Sequence, residues 1–99
     1  MILGRNVFRL KFGQARPALA LWREGAALIA KASPGTSSRL LTDLVGPSYT
    51  VMMEDTFKDL VDFEQAARNV MGSNEWRAWY QKFVPLVDSG YREIFNIVE

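Results

Sequence analysis

Apolar residues fall on both faces of the strand-like segments of this chain, and that pattern limits the available folds more than any other feature. Residues 39–45 alternate Leu40, Thr42 and Leu44 against Arg39, Leu41, Asp43 and Val45. Residues 49–54 alternate Tyr49, Val51 and Met53 against Thr50, Met52 and Glu54. Such a period of two marks a strand, because successive side chains point to opposite faces. Gly46, Pro47 and Ser48 lie between the runs and supply a hairpin turn. An antiparallel sheet with one wet face is polar on that face, and a single layer of helices covers only the other. Both faces here carry apolar side chains, so the second face needs its own cover. A chain of 99 residues has room for a single domain, residues 1–99, and the expected cover is a second copy.

Two further strands flank this hairpin in sequence. Residues 5–12 place Asn6, Phe8, Leu10 and Phe12 opposite Arg5, Val7, Arg9 and Lys11, and residues 91–98 place Tyr91, Glu93, Phe95 and Ile97 opposite Arg92, Ile94, Asn96 and Val98. Ser89 and Gly90 read as the turn before the last strand. Between strands, Ala18, Leu21, Trp22, Gly25, Leu28, Ile29 and Ala32 recur at helical spacing over residues 17–32, with Pro17 in the first turn. Gly25 inside that helix costs about 1 kcal/mol relative to Ala, which predicts a close approach of its backbone to the sheet. Residues 33–38 form a loop.

A second helix carries Phe57, Leu60, Val61, Ala67, Val70 and Met71, with Thr56 and Asp59 as a capping-box-like start. After Gly72, either Ser73 or Asn74 caps a third, bearing Trp76, Trp79, Tyr80, Phe83, Val84 and Val87, with Pro85 near its end. The resulting βαββαβ order predicts an α+β, ferredoxin-like fold, a four-stranded antiparallel sheet with helices on one face.

Composition closes off several function classes. Twelve Lys and Arg offset eleven Asp and Glu for a formal charge of +1, with no basic stripe, so nucleic acid is not an expected partner. Zero cysteine removes thiol nucleophiles and disulfides, consistent with a cytoplasmic address, and zero histidine removes the usual neutral-pH base and the commonest ligand of zinc and haem iron. No metal site and no cofactor are expected. No segment is apolar enough to serve as a secretory signal or a membrane span, so no membrane partner is expected either.

The run LTDLVGPSYTVMMEDTFKDLVDFEQA, followed by NEWRAWYQKFVPLVDSGYREIFNIV, resembles small bacterial proteins of the dimeric α+β barrel superfamily, especially NIPSNAP-like members. The resemblance runs from about Val7 onward. Its markers are the TDLVGP hairpin, Glu54 closing the third strand, the helix start from Phe57 to Glu64, and EWRAWY. It implies a homodimer in which two sheets face each other inside a ring of helices. Superfamily members include cofactor-independent monooxygenases, haem-degrading enzymes and lactone isomerases, so the fold alone assigns no activity. Asn6, with Trp76 or Trp79, matches residue types of the haem-degrading branch, but that branch uses a histidine for iron and this chain has none.

Two readings follow: an uncharacterised homodimeric NIPSNAP-like protein without an assignable activity, and a cofactor-independent monooxygenase or isomerase acting on a small aromatic or acidic metabolite. The candidate pocket residues are Asn6, Arg9, Trp22, Tyr49, Glu54, Trp76 and Trp79, with a small molecule as ligand. The aromatic residues among them fit a core as well as a pocket wall. Arg9, Asp43, Glu54 and Arg92 are charges in otherwise apolar strands; some are expected inside as a mutually paired polar cluster, the other reading being an ion-pair network at the dimer interface or simple exposure at the rim. Tyr91 and Asn96 join Asn6 and Tyr49 as hydrogen-bonding side chains at strand positions.

Overall fold

In the computed structural model, which describes residues 1–99, the alternating and helical segments form strand β1 (Ile2–Leu10), helix α1 (Ala15–Ala32), strands β2 (Ser37–Thr42) and β3 (Thr50–Phe57), helices α2 (Leu60–Met71) and α3 (Asn74–Phe83), a 3₁₀ turn (Val84–Leu86) and strand β4 (Val87–Asn96). The strands lie in the order β2-β3-β1-β4, and every pair is antiparallel. All helices cover one face, giving a slab 37 × 34 × 18 Å. This is the ferredoxin-like α+β arrangement that the element order predicts. No helix is long and apolar enough to cross a membrane.

The core sits between the sheet and the helices. Leu10 of β1, Val51 and Met53 of β3, Ala18 and Trp22 of α1, and Trp79 and Phe83 of α3 form its buried centre. Burying a side chain the size of Phe83 contributes roughly 1.5–3 kcal/mol, so this cluster holds α1 and α3 to the sheet. Ala18 is completely enclosed, and its small side chain lets α1 approach the sheet closely.

Several boundaries differ from the sequence reading, each for a local reason. Strand β1 starts at Ile2 because Ile2 pairs with both Phe57 and Asn96, and it ends at Leu10. Phe12 lies past the end, after Lys11 N–H bonds to Leu86 O at 2.8 Å, and its ring lies 5.0 Å from that of Tyr49, tilted by 46°, with most of its surface exposed. Strand β2 stops at Thr42. Leu44 and Val45 stand almost fully exposed in a loop held by side chains, where Thr50 N–H donates to Asp43 Oδ1 at 2.9 Å and Thr50 Oγ1 donates to Pro47 O at 2.8 Å.

Helix α2 begins later than Phe57. Thr56 remains in β3, paired with Leu3, and the cap is Asp59, whose carboxylate accepts the Asp62 N–H at 2.9 Å. Ser73 is the cap of α3 and accepts the Trp76 N–H at 3.0 Å. Ser89 and Gly90 form no turn. They are paired with Arg9 and Phe8 inside β4, and a Cβ on Gly90 would lie 2.6 Å from Phe8 Cδ1. Gly90 is therefore set by the ring packed over it. The reversal expected there is made by the 3₁₀ turn around Pro85.

Candidate functional site

Register divides the polar side chains between two surfaces. Phe8 packs on Trp22 and Phe83, which fixes the even positions of β1 on the helix side. Asn6 shares that side with its cross-strand neighbours Met53 and Arg92, and Asp55 lies beside Gly4. Arg5, Val7 and Arg9 face the other way, together with Met52, Glu54, Leu41, Tyr91, Glu93 and Phe95.

On the helix side, the space between sheet, α2 and α3 is a cavity of about 770 Å³. That volume is within the common range for small-molecule sites, roughly 300–1,000 Å³. Phe8 and Met53 floor it, α2 contributes Ala66 and Val70, and Trp76 and Trp79 rise from α3. All three tryptophans of the chain line it. Their order follows from helix spacing and one glycine. Trp76 and Trp79 are three residues apart on α3, so their rings stack at 4.6 Å and 24°. Trp79 then donates its indole N–H to Leu21 O across the α1–α3 contact. Gly25 permits that contact, because a Cβ there would lie 2.7 Å from Trp79 Cζ2. The close approach predicted at Gly25 is thus to a ring of α3 and not to the sheet.

Trp22 completes the wall edge to face, 4.7 Å and 60° from Trp79 and 5.2 Å and 72° from Phe83. Its indole N–H is buried among these rings without an acceptor.

Polar groups enter the cavity from the sheet. Arg92 Nε donates to Asn6 Oδ1 at 3.0 Å, and its guanidinium lies 5.7 Å from the Phe63 ring centroid. Gly4 makes room for that ring, which sits 3.3 Å from where a Cβ would be. Arg77 stands on the cavity wall from α3. Neither Arg77 nor Arg92 has a carboxylate partner; the ion pairs of the chain involve Arg5, Lys31 and Arg39. Asp55 is the one carboxyl lining the cavity. Burial pushes its pKa up, partly offset by the hydrogen bond it accepts from Ser38. The cavity thus pairs an aromatic interior with an excess of positive charge at its edge.

Of the seven candidate residues from the sequence, Asn6, Trp22, Trp76 and Trp79 line this cavity. Arg9 and Glu54 lie on the opposite sheet face. Tyr49 lies in the turn directly before β3 with φ 62°, its carbonyl accepting Leu10 N–H at 2.8 Å, and packs against the core. The expected grouping of Arg9, Asp43, Glu54 and Arg92 does not form. Asp43 is spent on its own loop, Arg92 is on the cavity side, and Glu54 pairs with Arg39 and Arg5.

Asp55 and Arg77 are the site residues that the sequence reading passed over. Ending the strand at Glu54 hid Asp55, although alternation past Val51 and Met53 points position 55 to the same side. Arg77 carries no local signal, since an arginine on a helix is ordinary surface until the neighbouring wall is known.

No protein-family model matches the sequence, and no curated protein matches it. Solved structures do match in fold. A NIPSNAP family protein from Agrobacterium tumefaciens superposes with TM-score 0.89 at 20% identity, over 99% of this chain and 86% of the other. An uncharacterised NIPSNAP domain protein from Burkholderia xenovorans gives TM-score 0.88 at 15% identity, over 99% and 95%. This is the NIPSNAP fold. SnoaB, a cofactor-independent oxygenase from Streptomyces nogalater, shares the NIPSNAP-like backbone more distantly, with TM-score 0.76 at 15% identity over 99% of this chain and 93% of its own.

Proposed function

We propose that this protein is a cytoplasmic homodimer that binds a small organic acid with an apolar, ring-bearing body in the cavity between sheet and helices. The observation that carries the ligand is the cavity itself: a tryptophan-walled space of about 770 Å³ edged by two guanidiniums without carboxylate partners. Aromatic walls favour a planar apolar body, and an unpaired Arg at the rim favours an anionic head. Asp55 is the one acidic side chain among the lining residues, against the two guanidiniums, and burial raises its pKa. The dimer is supported by the uncovered sheet face, where Tyr91 is 58% and Phe95 42% exposed beside Leu41, Met52 and Val7. The absence of cysteine from the chain fits a reducing compartment.

Calorimetric titration with naphthalene-1-carboxylate and, separately, naphthalene-1-methanol tests the ligand class. The acid is expected to bind more tightly than the alcohol, and Arg92→Met is expected to weaken the acid by roughly 3- to 10-fold while leaving the alcohol unchanged. Absence of binding by both probes at millimolar concentration would overturn the reading. Sedimentation at micromolar concentration tests the dimer, which is expected at twice the 11.2 kDa of one chain.

A further inference from the structure

The cavity holds opposite charges that do not meet. Asp55, only 7% exposed, is its one carboxyl, and Arg77 and Arg92 are its guanidiniums, yet no ion pair joins them. Register keeps Asp55 and Arg92 apart. Asp55 of β3 lies opposite Gly4 of β1, whereas Arg92 of β4 lies opposite Asn6, two strands across and two residues along, which separates the two backbone positions by about 12 Å. The Phe63 ring fills the strip between them: its Cε2 lies 3.3 Å from where a Cβ of Gly4 would be, and its centroid lies 5.7 Å from Arg92 Cζ.

Asp55 is costly where it stands. Burial raises its pKa, so its ionised form is penalised there. The hydrogen bond it accepts from Ser38 would be met as well by the uncharged amide of an asparagine. That bond uses Oδ1, and no group of the chain donates to Oδ2. A carboxyl held at a cavity wall against its cost in stability marks a functional position. Arg77 and Arg92 can only donate hydrogen bonds, so Asp55 serves a different part of a ligand from the part they hold.

Resting on the acid-binding reading above, we infer that the ligand is a hydroxy acid, whose carboxylate lies at the guanidinium edge and whose hydroxyl, at the opposite end of the ring body, donates to Asp55 Oδ2. A two-ring body with substituents at its two ends spans the gap once both side chains reach inward. The donor is a hydroxyl and not an ammonium. A wall that penalises the charge of Asp55 also penalises a cation drawn out of water, and two guanidiniums already line the same cavity.

Calorimetric titration with 2-naphthoate, 6-hydroxy-2-naphthoate and 6-methoxy-2-naphthoate tests the contact. The hydroxy acid is expected to bind roughly 10-fold more tightly than 2-naphthoate. The methoxy acid, which cannot donate, is expected to bind no more tightly than 2-naphthoate. Asp55→Val should abolish the hydroxyl preference without weakening 2-naphthoate. Asp55→Asn keeps an acceptor for Ser38 and should reduce the preference to roughly 3-fold, since a hydrogen bond to an ionised acceptor is about twice as strong as one to a neutral acceptor. Circular dichroism checks the fold of both variants, and Asp55→Asn carries the comparison if Asp55→Val does not fold.

Three results would each overturn the contact while leaving acid binding standing. They are a methoxy acid as tight as the hydroxy acid, a hydroxyl preference undiminished in the folded Asp55 variants, and tighter binding of 6-aminomethyl-2-naphthoate than of the hydroxy acid. If no acid binds at millimolar concentration, the acid-binding reading falls and the contact falls with it.

Discussion

Gly25→Ala puts two effects of opposite sign in competition at one atom. Replacing glycine by alanine inside α1 gains about 1 kcal/mol of helix propensity. Against this, the new Cβ would lie 2.7 Å from Trp79 Cζ2 and 2.8 Å from Cε2, well inside the roughly 3.5–4.0 Å at which carbon atoms attract. Trp79 has no room to yield. Its N–H is held by Leu21 O, and its ring stacks 4.6 Å from Trp76 and 5.2 Å from Phe83. Overpacking of this kind costs about 1–3 kcal/mol, and displacing the indole from its carbonyl adds about 1 kcal/mol.

The clash wins, leaving Gly25→Ala less stable by about 1–3 kcal/mol after the propensity gain. For a domain of this size that lowers the melting temperature by roughly 5–20 °C. Urea and thermal unfolding at fixed protein concentration are the assay, since the stability of the proposed dimer would depend on concentration. Ala20→Gly, at an exposed position of the same helix, calibrates the propensity effect at about 1 kcal/mol. In a Trp79→Phe background, which removes the indole atoms that clash, Gly25→Ala should cost little, giving a coupling within the range of roughly 0.5–3 kcal/mol seen for touching residues. A Gly25→Ala variant as stable as the wild type would refute the claim that the α1–α3 contact requires this glycine.

Two further outcomes can be measured. Burial raises the pKa of Asp55 in the folded chain, so the folded state keeps a proton where the unfolded chain has released it, and stability falls as pH rises from the unfolded value toward the folded one. Asp55→Asn keeps an acceptor for Ser38 without the charge; it should melt above the wild type at pH 7, with the advantage shrinking as pH falls toward the unfolded value and gone below about pH 4, and a pH-independent difference would exclude this origin. Ser73→Ala removes the cap that accepts the Trp76 N–H and is expected to cost about 1 kcal/mol in urea unfolding, with Ser73→Asp near neutral.

Local pattern carried most of the architecture. Alternation and helical spacing located every strand and helix, because these periods are set by backbone geometry and survive without tertiary contacts. Boundaries were less legible. Phe12, Leu44 and Val45 look like strand residues by type, yet strand length depends on how far the neighbouring strand continues. Ser89 and Gly90 look like a turn, yet Gly90 is a strand residue whose missing side chain accommodates Phe8.

For the candidate site, the sequence by itself determined which residue types were available: tryptophans at helical spacing, no histidine, no cysteine, and charges placed in apolar strands. It also determined that the sheet would have two apolar faces. Tertiary structure decided which face each charge occupies. Asn6 and Glu54 were grouped by chemistry, but a shift of one residue in a strand reverses the face, and the antiparallel register puts Asn6 in the cavity beside Arg92 and Glu54 on the opposite surface between Arg5 and Arg39. Only the assembled sheet lines up residues 39, 54, 5 and 93 into one row, because cross-strand neighbours lie far apart along the chain and their pairing is a property of the fold.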